Sequence, residues 1–387
     1  MLNKPRMLTP GPTPLPESVR LAMAVDMIHH RKPVFKRIMS EVQDKLRRLF
    51  GTVQPVLPLA SSGTGAMTAA IINLFRPGEK VLVLEGGHFG RRWADIARSH
   101  GLEVVVKSLA PGEAADPAEL AALLREHADL RGVCAQLCET STGTQHPVRE
   151  LAAVTAASPA LLLVDGISGV GVSPCPMDAW GIDCLLTGSQ KGLMLPPGLS
   201  FVAFSARAWD KAAGVEAGNF YFDLGREKEQ ILQNQTCFTP PISLLLGLNQ
   251  SLDLFFEAGM ENIYRRQWAL SCMARNGACA LGLELFAPKA PAWGVTSVLL
   301  PEGISAADML ADIFKNYNLV LAAGQGAYKD KIIRIGHMGW VDWADLAAAL
   351  HALHRAGRSL GAPAGAPDYL EQALTAYWQA LAQGCPT

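Results

Sequence analysis

Residues 160–191 read ALLLVDGISGVGVSPCPMDAWGIDCLLTGSQK. Two apolar runs stand in this stretch, ALLLVDG (160–166) and CLLTGSQ (184–190), each ending in glycine or polar residues. Short continuous apolar runs bounded by glycine or proline suit strands covered on both faces, the environment of a parallel sheet. The same pattern recurs outward: VLPLA (56–60), KVLVLEG (80–86), EVVVKSL (103–109), GVCAQLC (132–138) and LSFVAFS (199–205). Helix-like stretches lie between them, among them GAMTAAIINLF, RRWADIARSHG and PAELAALLREHA. This alternation predicts an α/β fold with a mostly parallel sheet flanked by helices. No GxGxxG opens a helix after the first strand, so a dinucleotide-binding domain is not supported. Asp165 closes one run and Lys191 follows the other. Alone, Lys191 reads as a surface lysine in a turn. Carboxylates are rarely buried unpaired, however, and open α/β sheets bind ligands at the carboxyl ends of their strands. An aspartate and a lysine at two such ends would converge on one crevice.

The chain has 387 residues, 49% hydrophobic and 18% charged, which excludes a disordered chain and suggests two or three domains. Lys plus Arg is 34 and Asp plus Glu is 35, so no basic footprint for nucleic acid exists. Eight scattered cysteines without a CxxC fit reduced thiols in a cytoplasmic protein. The opening MLNKPRMLTPGPTPLP lacks the apolar core of a secretory signal. Ile231 to Leu252 carries no charge, but Gln233, Asn234, Gln235, Asn249 and Pro240–Pro241 make it too polar and broken to span a bilayer.

The organisation expected is an N-terminal arm at 1–19, punctuated by Pro10, Pro12, Pro14 and Pro16, then a large domain at 20–257. Within the latter, Phe35, Ile38, Met39, Val42, Leu46 and Leu49 recur at helical spacing from Pro33 to Phe50. A smaller α+β domain is expected at 258–360, with the helix ENIYRRQWALSCMARNGACALG, a strand TSVLLP (296–301) and KIIRIGHMG. Residues 361–387 read as a linker, Gly361–Pro367, and a last helix.

Eight segments occur in one order: the PGP arm, SGTGAM, GGHFGRRW, ETSTG, LLLVDGISGVG, GSQKGLMLPPG, FTPPISL and IIRIGHMG. Together they resemble the class V (fold type I) aminotransferases that use pyridoxal 5′-phosphate, in particular the alanine–glyoxylate and serine–pyruvate (serine–glyoxylate) group. The resemblance implies a PLP-dependent transferase of fold type I and assigns roles. Lys191 would hold the cofactor as a Schiff base and later shuttle a proton. Such an amine must be neutral to attack a carbonyl, so burial and nearby cations help it. Asp165 would keep the ring nitrogen protonated, making the ring an electron sink. Thr64, with the N–H groups of Gly65 and Ala66 at a helix start, would bind the phosphate, joined by the Gln190 side chain. Phe89 would stack on the ring, Thr140 would lie near its phenolic oxygen, and Ile167 would pack one side or serve as plain core. Thr239 would reach the phosphate of a neighbouring subunit, making the protein a homodimer with sites completed across the interface. Thr236 stands where some relatives carry a tyrosine for that contact. Arg334 would take the substrate α-carboxylate as a planar fork, or serve a structural salt bridge, and Gly11 would line the pocket. His29, His30 and Arg31 lie in a loop placed near the site in relatives, or form a solvated basic cluster.

No HExxH or paired Cys/His spacing suggests a metal site, and no GxSxG supports a serine hydrolase. His351 and His354 read as a solvated helix face, and GQGAYK (324–329) as a turn. The stretch before Arg334 has no cysteine, which disfavours a desulfurase. The expected reaction is ping-pong transamination between alanine or serine and glyoxylate or pyruvate. Ureidoglycine–glyoxylate or aminoethylphosphonate transamination, or a non-catalytic assembly subunit on the same fold, are the alternatives.

Overall fold

The computed structural model describes residues 3–215 and 219–386. Its main sheet has seven strands: β1 Val56–Leu59, β2 Lys80–Glu85, β3 Glu103–Ser108, β4 Leu130–Gln136, β5 Leu161–Asp165, β6 Cys184–Gly188 and β7 Ser200–Phe204. They lie in the order β1-β7-β6-β5-β4-β2-β3. Strands β6, β5, β4, β2 and β3 are mutually parallel, and β7 is antiparallel to both its neighbours. Every residue of β5, β6 and β7 is buried, which is why these strands read as unbroken apolar runs.

Helix α1 (Pro33–Phe50) buries Phe35, Met39, Val42, Leu46 and Leu49 of the predicted stripe, with Ile38 half-buried, and ends at Gly51 with φ 62°. Helix α2 (Gly63–Leu74) follows β1 with Ser62 as its N-cap, and α3 (His88–Ser99) follows β2. The charge-free stretch that invited a membrane reading becomes a loop leading into α4 (Ile242–Ala258). Among the described residues no helix is long and apolar enough to cross a membrane.

The smaller C-terminal domain holds a four-stranded antiparallel sheet of β8 Glu284–Leu285, β9 Val295–Leu299, β10 Ala322–Ala323 and β11 Ile332–Gly336, in the order β8-β9-β11-β10. With α5 (Met260–Ala280), α6 (Ala306–Tyr317), α7 (Trp343–Ser359) and α8 (Tyr369–Gln383) it encloses a second hydrophobic core. Helix α8 is packed into that core, burying Tyr369, Ala373, Tyr377 and Ala380. At its contact with α5, a Cβ on Gly277 would lie 2.5 Å from Leu350 Cδ1 and 3.1 Å from Ala373 Cβ, so the approach needs glycine. His351 is exposed as expected, yet the face it shares with His354 is not simply solvated. His351 Nδ1 lies 3.0 Å from the Tyr369 hydroxyl and the His354 ring stacks on Tyr369.

The proline-rich arm crosses between the two domains. Arg6–Met7 pairs in parallel with Leu319–Val320, and Gly336 N–H donates to Leu8 C=O at 2.6 Å. A Cβ on Gly336 would stand 2.2 Å from Thr9 O, backbone that cannot yield as a side chain would. Gly336→Ala should therefore push the arm off β11, costing about 1–3 kcal/mol of stability and speeding tryptic cleavage after Arg6. Unchanged denaturation and unchanged cleavage kinetics would contradict this account of the arm.

Candidate active site

Strand ends build the cleft. Asp165 is the last residue of β5, paired with Gln136 of β4 and Leu186 of β6, and Lys191 follows β6 by one short turn. That turn is stapled shut. Ser189 N–H donates to Leu199 C=O at 2.9 Å, Leu195 N–H to Ser189 C=O at 3.1 Å, and Ser189 Oγ to Pro196 C=O at 2.7 Å. Inside it Met194 holds a left-handed φ of 54°, strain of the kind that surrounding structure must impose.

Lys191 is partly buried, and its Nζ donates to the carbonyl of Pro10 in the arm. Gly11 sits against the same side chain. With φ 113°, its missing Cβ would lie 2.4 Å from Lys191 Cδ, so only glycine lets the arm come this close. Burial pushes the Lys191 amine down to about 8, and the charges of Arg334 and Arg92 push the same way. Cys138 and Asp165 pull it back up without cancelling the effect. Burial likewise raises the Asp165 carboxyl to about 7, although it accepts Ile167 N–H at 2.8 Å. Glu139 adds to that rise, while Lys191 and Arg92 oppose it. The sequence-predicted lysine and aspartate thus act electrostatically on each other within one cleft.

Arg334 on β11 reaches across from the smaller domain. Its Nε donates to Ala323 C=O at 2.9 Å and its Nη1 to Thr140 C=O at 3.1 Å. The side chain is 8% exposed, and no carboxylate forms a salt bridge with it among the described residues. A structural salt bridge is therefore not its role here. Burial lowers its pKa, and Glu139 is the acidic group opposing that. Thr140 Oγ1 donates to Ser168 Oγ at 2.7 Å, fixing the loop that carries it. Ile167 packs against the start of α2, where a Cβ on Gly63 would meet Ile167 Cδ1 at 2.3 Å.

The turn opening α2 differs in detail from expectation. The N–H groups of Gly65 and Ala66 are engaged by Ser62, through its Oγ at 3.4 Å and its carbonyl at 3.2 Å, because Ser62 caps the helix. The first-turn amides without a protein acceptor, among the described residues, are those of Gly63 and Thr64. Gln190 Oε1, beside Gly188 at the end of β6, is buried without a partner among the described residues. Phe89 sits at the start of α3, half-buried, with the Arg92 guanidinium 4.9 Å from its ring centroid. Thr239 is exposed in a groove shared with Met27, His29 and Leu244, and no hydrogen bond ties its side chain to the cleft among the described residues. Thr236 is buried and donates to Phe238 C=O at 2.7 Å. Arg31 binds the same loop, through Gln235 Oε1 at 2.8 Å and Thr236 C=O at 3.1 Å. His337 is a buried neutral imidazole pushed down to about 3 by desolvation, 2.9 Å from Thr296 Oγ1.

Two side chains of the site escaped the sequence reading. Glu139 is fully buried and accepts Phe89 N–H at 3.1 Å, Gly90 N–H at 2.9 Å, Ser141 N–H at 3.1 Å and Ser141 Oγ–H at 2.5 Å. It clamps the start of α3 to the loop that carries Thr140. Arg92 donates to Thr64 Oγ1 at 2.9 Å, joining α3 to α2. The helical spacing of Arg92 to Phe89 was a usable signal; the reach to Thr64 was not.

A cleft in which a largely desolvated amine and a guanidinium without a carboxylate partner stand beside a buried carboxyl suits a ligand that carries an anionic group and a carbonyl for the amine, with a cationic group to face the carboxyl. The amine gives a direct check. Reductive methylation of Lys191 in cofactor-free protein, mapped by mass spectrometry, should reach half its limiting rate near pH 8 rather than near 10.5, because deprotonation creates the reactive form. A midpoint above about 10 would show an ordinary exposed lysine.

A family model described as Aminotransferase class-V matches residues 18–335. The serine–glyoxylate aminotransferase of Methylorubrum extorquens is 36% identical over 346 residues, covering 86% of each chain. A protein named soluble hydrogenase, small subunit, of Synechococcus sp. is 36% identical over 343 residues, 88% of this chain and 89% of that one. Among solved structures, the ureidoglycine-glyoxylate aminotransferase of Bacillus subtilis superposes with a TM-score of 0.91 at 26% identity, covering 98% and 99% of the two chains. Sequence motifs, fold and cleft agree, and the chain belongs to the class V aminotransferase family.

Proposed function

We propose that this protein transfers an amino group from a small amino acid, alanine or serine, to glyoxylate or pyruvate in a ping-pong cycle that uses pyridoxal 5′-phosphate. The observation that carries the reading is the joint presence, in one cleft, of a desolvated lysine with a lowered pKa, a buried aspartate and an arginine without a carboxylate partner. The bound cofactor supplies a carbonyl for the lysine and an electron-withdrawing ring for the developing carbanion.

The chain's own residues divide the remaining work. Lys191, whose buried amine is pushed down to about 8, has a far larger neutral fraction near pH 7 than an ordinary lysine, about a tenth, and can accept and return the proton of the substrate Cα. The Asp165 carboxyl, which burial chiefly raises to about 7, would become a full anion beside a cationic ring nitrogen, each stabilising the other's charge. Arg334 keeps Nε on Ala323 and Nη1 on Thr140, which fixes its plane and leaves part of the fork for a carboxylate. Thr64, the opening turn of α2 with Gly65 and Ala66, and the Gln190 side chain would hold the phosphate. Phe89 and Ile167 would flank the ring and Thr140 would lie by its oxygen. Gly11, pressed on Lys191, would line the pocket for the substrate.

The same reading makes the working unit a homodimer. Thr239 is exposed beside Met27, which is 70% exposed, in a groove a second chain would cover. All eight cysteines are free, in keeping with a reducing cytoplasm. A ureidoglycine donor, as the name of the Bacillus protein describes for that enzyme, would leave the cofactor residues unchanged and alter the pocket. The assembly-subunit reading is disfavoured by the intact Lys191, Asp165 and Arg334.

Purified protein should be coloured, and borohydride should fix the cofactor to the peptide containing Lys191. A Lys191→Ala chain that is still labelled on itself would refute the assignment. Adding alanine or serine alone should bleach the visible band of wild type; no change with any amino acid would favour an assembly role. Asp165→Asn, which keeps shape and loses charge, should lower kcat about 10²–10³-fold with cofactor still bound. Arg334→Lys should raise KM for the amino donor about 10–100-fold, as expected for loss of a bidentate charged pair, with the visible band retained.

A further inference from the structure

We infer that Arg92 is a positioning residue for the cofactor's phosphate group, acting through the hydroxyl of Thr64; this rests on the reading of the cleft as a pyridoxal phosphate site. Arg92 has no carboxylate in salt-bridge range among the described residues, unlike its neighbour Arg91, which pairs with Glu85 at 3.1 Å. Its guanidinium instead faces the cleft. Nη1 donates to Thr64 Oγ1 at 2.9 Å, Nη2 lies 3.0 Å from His88 Nε2, and the plane sits 4.9 Å from the Phe89 ring centroid.

The direction of the Arg92–Thr64 bond is fixed by chemistry. A guanidinium only donates, so the threonine oxygen must accept. That leaves the one hydroxyl proton of Thr64 for another acceptor. No protein group takes it among the described residues, and Thr64's own carbonyl is occupied as an acceptor by Thr68 Oγ1–H at 3.1 Å. The proton is free for an oxyanion in front of the α2 turn, where the Gly63 and Thr64 amides also lack acceptors. A permanent cation behind the hydroxyl strengthens that donation.

The base of this device is rigid. Glu139 takes the Phe89 and Gly90 N–H groups at the start of α3, so the helix cannot shift without breaking bonds to a fully buried carboxylate. The two helix starts thus divide the labour: α3 has spent its Phe89 and Gly90 amides on Glu139 and its His88 amide on Ser141 Oγ, and presents a side-chain cation, whereas α2 presents the polarised hydroxyl.

The test compares two ligands that differ only in the phosphate. Full-length cofactor-free wild type, Arg92→Gln, Arg92→Lys, Thr64→Val and the Thr64→Val/Arg92→Gln double variant are titrated with pyridoxal 5′-phosphate and with pyridoxal, followed by absorbance. Arg92→Gln should weaken pyridoxal 5′-phosphate binding about tenfold and pyridoxal binding less than about twofold. Thr64→Val should show the same split, and the double variant should be no weaker than about twofold beyond the worse single one. Arg92→Lys, which keeps a donor and the charge, should recover at least about half of that loss on a logarithmic scale. Equal losses for both ligands, or fully multiplicative losses in the double variant, would overturn the inference. Should Arg92→Gln fail to fold by circular dichroism, Arg92→Lys and Thr64→Val decide it: a phosphate-selective loss in Thr64→Val that Arg92→Lys does not share supports the inference, and ligand-independent loss in both overturns it. A wild type that binds neither ligand would defeat the cofactor reading itself, a different and separable failure.

Discussion

Charge held out of water without its own counter-charge is the constraint on which this architecture turns. Lys191, Asp165 and Arg334 are each desolvated, and burial moves each toward its neutral form. Exposing such groups would relieve them, so something must hold them in place. The fully buried strands β5 and β6 do so by fixing the backbone at their carboxyl ends, while β11 does the same from the smaller domain. The stability lost by burying ionisable groups is supplied by two separate hydrophobic cores.

Three stretches far apart in sequence meet at the lysine. The arm contributes the Pro10 carbonyl and the absent side chain of Gly11. The main sheet contributes Lys191 and Asp165. The smaller domain contributes Arg334, whose bond to Thr140 C=O spans the gap between the two sheets. Because the arm is hydrogen-bonded to Gly336, two residues beyond Arg334, the groups that touch the lysine and those that would touch a substrate share one support. Glu139 is the matching device on the other side, organising both the Phe89 turn and the Thr140 loop.

Much of this was legible from the sequence, for identifiable reasons. The strands announced themselves because burial on both faces demands continuous apolar residues, and α1 because burial on one face demands a helical stripe. Asp165 stood out because a carboxylate at the end of such a run is rarely buried unpaired, and Lys191 only once it was set beside Asp165 at a second strand end and within the ordered motifs. The direction of β7 was not legible, since LSFVAFS reads alike in either sense and only its pairing reveals the reversal. Nor were the bond from Arg92 to Thr64, 28 residues apart, or the one from Arg334 to Thr140, 194 apart, because no local pattern encodes such closures. At the α2 turn, the reading gave Gly65 and Ala66 to an anion and overlooked Ser62, which caps both in this structure.

The stapled turn between β6 and β7 also says what kind of motion the amine has available. Its backbone is pinned at Ser189, Leu195 and Leu199, and Met194 is locked in a conformation it would not choose alone. Swinging the whole loop would rupture several bonds at once. The travel of the nitrogen is therefore a matter of torsions along one methylene stem, a short tether pivoting from a stationary anchor.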